Sequence, residues 1–140
     1  MGQGFYTAIF YGGIFDPLKV TGLDYTTSEG DDCFDEWHTM VKDAAESPIV
    51  ARLRYEADES WFGFLIADCG QGISWEEDKS IDIARNVFDL DTLSEIIRTS
   101  EKFKEIMELA TKSFERLKEA ADKKGWDIGA GRLMLVNDYD

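Results

Sequence analysis

An α+β fold, with an antiparallel sheet of four or five strands covered by a long C-terminal helix and one or two shorter helices, is what this chain of 140 residues predicts. Three observations carry it. Residues 100–124 repeat apolar side chains at helical spacing, at Phe103, Ile106, Met107, Ala110, Phe114, Leu117 and Ala121. Residues 4–15, 49–57 and 60–68 are short stretches rich in aromatic and β-branched residues, as strands are. The last two of these are separated by only Asp58-Glu59, which makes them a hairpin and therefore antiparallel. With 44% hydrophobic residues and no repeat or linker, residues 1–140 suit one domain with its own core.

The first strand, GFYTAIFYGGIF (4–15), is apolar at nearly every position and is closed by Gly12, Gly13 and Asp16-Pro17, so it is expected at the centre of the sheet. Residues 18–31 mix Thr, Ser, Gly and acids without a period and read as a surface loop. A helix is expected from Cys33 to Glu46, with Phe34, Trp37, Val41 and Ala45 on one stripe and Asp31, Asp32, Asp35 and Glu36 around its first turn. Pro48 ends it.

Residues 49–57 alternate Ile49, Ala51, Leu53 and Tyr55 with Val50, Arg52, Arg54 and Glu56, the two-residue period of a half-buried strand. SWFGFLIAD (60–68) returns beside it, and Gly70 and Gly72 mark a turn. Residues 73–90 fit a strand through Ile81, Ile83 and Val87 or a helix through Ile81, Ala84 and Phe88; the strand is preferred. Thr92 and Glu95 have capping-box spacing and start a short helix carrying Leu93, Ile96 and Ile97. The long helix runs from Ser100 to Lys124 and stops at Gly125. Glu108 with Lys112, and Glu119 with Lys123, stand four residues apart on its outer face, each pair contributing ~0.3 kcal/mol. RLMLV (132–136) supplies a final strand.

Charge is the unusual property. The chain has 29 acids against 15 bases, a net of −14, which excludes a protein that grips phosphate backbones by bulk electrostatics. Residues 1–97 hold 20 acids and 6 bases, whereas residues 98–140 hold 9 of each. The excess therefore sits in the first two thirds. Fourteen of the 18 aromatic residues lie there too, and Tyr25, Trp61 and Trp75 border acidic stretches as candidate exposed anchors. Nucleic-acid-mimicking inhibitors of the phage type are similar in composition.

The string YGGIFDP (11–17) resembles the GGxFDP opening of the HxGH nucleotidyltransferases, a family with a parallel nucleotide-binding sheet and two histidines that hold the transferring phosphates. The corresponding stretch here is Leu18 to Leu23, in which only Gly22 fits, so the string is better read as a turn at a strand end. DDCFDEWH (31–38) gathers carboxylates, Cys33 and the only histidine, His38, within helical reach of Asp35, but a zinc site wants about four ligands with Cys or His predominating. Cys69 ends a strand and would need His38 as its base. Asp68, Glu77 and Lys79 copy a nuclease pattern poorly, and GQG (70–72) and GAG (129–131) are turns.

With two cysteines, no signal-type apolar run and no span of the ~20 residues that cross a bilayer, a cytoplasmic protein without membrane or direct nucleic-acid binding is expected. No cofactor is expected. The leading reading is a non-enzymatic binding protein that docks on, and inhibits, a partner protein with a basic surface. Its docking residues are Asp31, Asp32, Asp35, Glu36, Asp58, Glu59, Trp75, Glu76, Glu77 and Asp78. The alternative is a small metal-assisted hydrolase or nucleotide-handling enzyme using Asp35, His38 and Cys69 or the GGIFDP turn, and a self-associating structural protein is a third class.

Overall fold

The apolar run near the start of the chain forms β1 (Phe5–Ile14), one of two strands with a neighbour on each side among those described, as its composition predicts. The computed structural model describes residues 5–55, 59–68 and 90–139. Helices α1 (Pro17–Thr21) and α2 (Ser28–Ala44) follow β1, and then come strands β2 (Ala51–Arg54) and β3 (Trp61–Asp68). Helices α3 (Leu90–Thr99) and α4 (Glu101–Lys123) lead to the last strand, β4 (Arg132–Tyr139). The described strands make one antiparallel sheet of order β2-β3-β1-β4. The α+β class and the β2–β3 pairing are as expected, with Ala51 opposite Phe64 and Leu53 opposite Phe62.

Several boundaries differ from the sequence expectation. Residues 18–31 are not one loop: Asp16 caps α1 by accepting the Leu18 backbone N–H at 2.9 Å, with Pro17 in the first turn. Helix α2 starts at Ser28, five residues before Cys33, because Thr27 is its cap. Strand β2 begins at Ala51, without Ile49 and Val50, and ends at Arg54, with residues 56 and 57 outside the described residues, and β4 runs three residues beyond Val136. Thr92 is not a cap, since α3 already includes Leu90. The turn at Gly70 and Gly72 and the strand preferred over residues 73–90 fall, up to residue 89, outside the described residues.

Pairing in register puts Tyr11, Phe62, Phe64, Ala51 and Leu53 on one face of the sheet, where α2 and α4 pack. That side holds the main core. Trp37 of α2 is 1% exposed, and its ring meets Phe15 at 4.8 Å, Phe62 at 5.3 Å and Trp126 at 6.2 Å between centroids. Phe103, Ala110, Phe114, Leu117 and Ala121 complete it from α4, on the stripe the sequence shows. Ser100 caps α4 by accepting the Phe103 N–H at 3.1 Å. At its other end Gly125 adopts φ 77°, a left-handed conformation that turns the chain so that Trp126 packs back into the core.

The opposite face carries a second, smaller cluster of Ala8, Phe10, Trp61 and Leu65, with Met134 and Val136 against it. Trp61 is buried there, 5.1 Å from Phe10 between ring centroids, so it is a core residue and not the exposed anchor its acidic neighbours imply. No helix among the described residues is long and apolar enough to cross a membrane.

Candidate functional site

The acidic cluster foreseen at residues 31–36 lies on the solvent side of α2, and local structure explains how it gets there. Asp24 accepts hydrogen bonds from the backbone N–H and the hydroxyl of Thr26, both at 2.9 Å. These bonds hold its carboxyl below the ordinary carboxylate pKa. Thr27 donates its hydroxyl to the Asp24 carbonyl at 2.7 Å and accepts the Gly30 N–H at 3.0 Å, so one side chain ties the preceding turn to the first turn of the helix. Gly30 is buried against that turn, where a Cβ would stand 1.9 Å from the Asp24 carbonyl oxygen; only glycine fits. With Gly30, Trp37, Val41 and Ala44 buried and Cys33, Phe34 and Met40 half-buried beside them, the helix turns its six acids and its histidine to water.

Those positions are Glu29, Asp31, Asp32, Asp35, Glu36, His38 and Asp43. Glu29 and Asp31 complement the positive end of the helix dipole. Lys42, the only lysine of α2, does not neutralise the others, because its ammonium donates to the Ala51 carbonyl of β2 at 2.6 Å. Burial there, with the Arg52 charge nearby, lowers its pKa. Among the described residues, Glu29, Asp31, Asp32 and Asp35 make no ion pair, and Glu36 makes one, to Lys124 at 2.6 Å. The same ammonium lies 5.1 Å from the centre of the Trp126 ring, so a lysine is held between a carboxylate and an indole face.

An open groove of about 710 Å³ runs along this helix. Glu29, Asp32, Asp35 and Glu36 form its acidic side, and Leu23, Cys33, Met40 and Trp126 supply apolar surface. Toward α4 the acidic surface gives way to a second groove of about 410 Å³ that Arg116, Lys123 and Lys124 help to line. At the other end Tyr25, 55% exposed, packs on Tyr55 at 5.2 Å, and Tyr55 meets Phe34 at 5.5 Å. Burial, then the nearby Asp16, Tyr25 and Asp24, raise the Tyr55 pKa.

The expected docking residues therefore divide. Asp31, Asp32, Asp35 and Glu36 share one face, and Glu59 is exposed. Asp58, Trp75, Glu76, Glu77 and Asp78 lie outside the described residues, as does Cys69. Sequence reasoning missed Trp126, Lys124 and Tyr55. The signal for the first two was Lys-Gly-Trp just past a helix end, where a left-handed glycine folds the next residue back.

The enzymatic readings meet a different geometry. GGIFDP is a strand end followed by a helix cap, and it belongs to an antiparallel sheet, not the parallel one that its resemblance implies. Cys33 is half-buried with its sulfur 4.0 Å from the Thr21 hydroxyl, while His38 is exposed and shares no hydrogen bond with Asp35. No group of three or more His, Cys, Asp or Glu among the described residues is arranged to hold a metal ion. The chain matches no protein-family profile, no curated protein and no solved structure.

Proposed function

We propose that this is a non-enzymatic binding protein that docks on, and inhibits, a partner protein with a basic surface, in the manner of a nucleic-acid mimic. One observation supports the reading above others: among the described residues Glu29, Asp31, Asp32 and Asp35, on one exposed helix face, make no ion pair, while the helix's own lysine is turned to the sheet. Like charges at three- and four-residue spacing destabilise a helix, so a partner's Lys and Arg residues would relieve an existing repulsion as they bind. The groove beside these acids offers Met40 and Trp126 for apolar contact, and Tyr25 is the exposed aromatic at the far end. Asp58, Glu59 and Glu76 to Asp78 add to the chain's net negative charge, which would steer a basic partner toward it.

The test is capture from a lysate of the native host at low and high salt, with the wild-type chain and the charge-reversed variant D31K/D32K/D35K/E36K. Basic proteins retained by the wild type at low salt, released by salt and not retained by the variant are the expected result. A partner held equally by both proteins, or unaffected by salt, sinks the proposal.

A further inference from the structure

The two edges of the sheet are built differently. Strand β2 closes one edge with four residues, too few to template much pairing. Strand β4 closes the other with eight residues in unbroken register against β1, from Phe5 opposite Tyr139 to Gly12 opposite Arg132, with no bulge. Among the described residues nothing pairs with its outer side. About half of the backbone N–H and C=O groups of such a strand point away from its partner, ready for another strand. β4 has no proline or lysine to discourage that. Leu133 and Leu135, on its helix-side face, are 44% and 64% exposed.

We infer that β4 pairs with β4 of a second copy of this chain, antiparallel and with the two-fold axis at Leu135, joining two four-stranded sheets into one of eight. Charge placement selects both the occupant and the register. In an antiparallel pair centred on Leu135, that leucine faces its own counterpart, and Met134 faces Val136 of the other copy. Arg132 then faces Asp138 of the other copy at each end. The pairing sets Leu135 against its counterpart and Leu133 against Asn137 of the other copy on one face, and brackets two apolar pairs with two opposite-charge pairs on the other. Centring on Met134 would set Arg132 against Val136, and centring on Val136 would set Asp138 against Met134. Only the Leu135 register satisfies both charges. Within one chain the two residues are six positions apart on a strand, about 20 Å, and cannot meet.

Sedimentation velocity across a concentration series tests this directly, with R132D, D138R, the double variant R132D/D138R and L135K. The wild type is expected to form a dimer. Each single charge variant sets like charges opposite each other at both ends and is expected to weaken dimerisation by about tenfold or more. The double variant restores opposite charges across the interface and is expected to recover the wild-type dimer. L135K places two ammonium groups at the axis and is expected to give monomer, with an unchanged circular dichroism spectrum. A wild type that stays monomeric up to about 100 μM overturns the proposal, as does a dimer indifferent to L135K or a double variant that is not rescued.

Discussion

Helices α2 and α4 pack against each other on the same side of the sheet, yet they treat charge in opposite ways. α4 carries six acids and six bases, and three ion pairs run along it: Glu101 with Lys104, Lys118 with Asp122 and Glu119 with Lys123. α2 carries six acids and one lysine and has no ion pair within itself. Both helices bury an apolar stripe of the same kind, so burial explains why both fold. It does not explain why one is electrically balanced and the other is not. The balance of α4 is that of a self-contained scaffold, and the imbalance of α2 is a cost to the free protein that the proposed cationic partner would remove.

The sharpest way to break this comparison is through what the helices share. Trp37 joins α2 to Phe62 of the sheet and to Trp126 beyond α4, and Trp37→Ala is expected to cost ~3–5 kcal/mol in urea unfolding. A loss under 1 kcal/mol would mean that α4 and the sheet stand without α2. Next is Ser113, fully buried, which donates to the Leu109 carbonyl and accepts the Glu46 N–H, each at 2.8 Å. Ser113→Ala orphans the Glu46 N–H just after α2, and a loss of ~1–3 kcal/mol is expected from the same measurement.

Smaller effects separate the helices by sign. Asp35 stands four residues after Asp31 and three after Asp32, so Asp35→Asn is expected to raise stability by ~0.5 kcal/mol while weakening capture of a basic partner. Lys123→Ala, which removes an exposed pair in α4, is expected to lower stability by ~0.3 kcal/mol and leave capture unchanged. If both shift stability the same way, the contrast between the helices is lost. The last test is a titration. Asp24 has a folded pKa below its unfolded one, so its contribution is fully present above the ordinary carboxylate pKa and fades as pH falls through the lowered value. Thr26→Ala removes one of its two donors, and carboxyl NMR should show the Asp24 pKa rising toward its ordinary value.

Strong periods in the sequence located the elements that bury the most. The stripe of α4 and the apolar run of β1 needed no tertiary information. What stayed hidden depends on contacts between distant residues or on single backbone positions. Gly30 looks like a loop residue, because glycine is a poor helix former, yet the Thr27 cap places it in the first turn of α2, where the Asp24 carbonyl leaves no room for a side chain. Asp16-Pro17 reads equally well as a turn or as a helix start, and the short α1 makes it the latter. Among the paired positions, Glu119 and Lys123 come within 3.9 Å, whereas the identically spaced Glu108 and Lys112 form no ion pair. The acidic face was legible as composition, but not the turning of Lys42 to β2, nor the pairing of Glu36 with Lys124 from beyond α4.

The strand order has a consequence for how the chain folds. β2 and β3 are close in sequence and can zip together early, whereas the first described strand pairs with the last, Phe5 with Tyr139. Closing a loop that long carries a large entropy cost before any hydrogen bond forms, which slows the step. During synthesis, one side of β1 must wait until residues 132–139 have been made. Until then the central strand is itself an open edge, and the repulsion among the acids of the first two thirds of the chain helps nascent copies to stay apart.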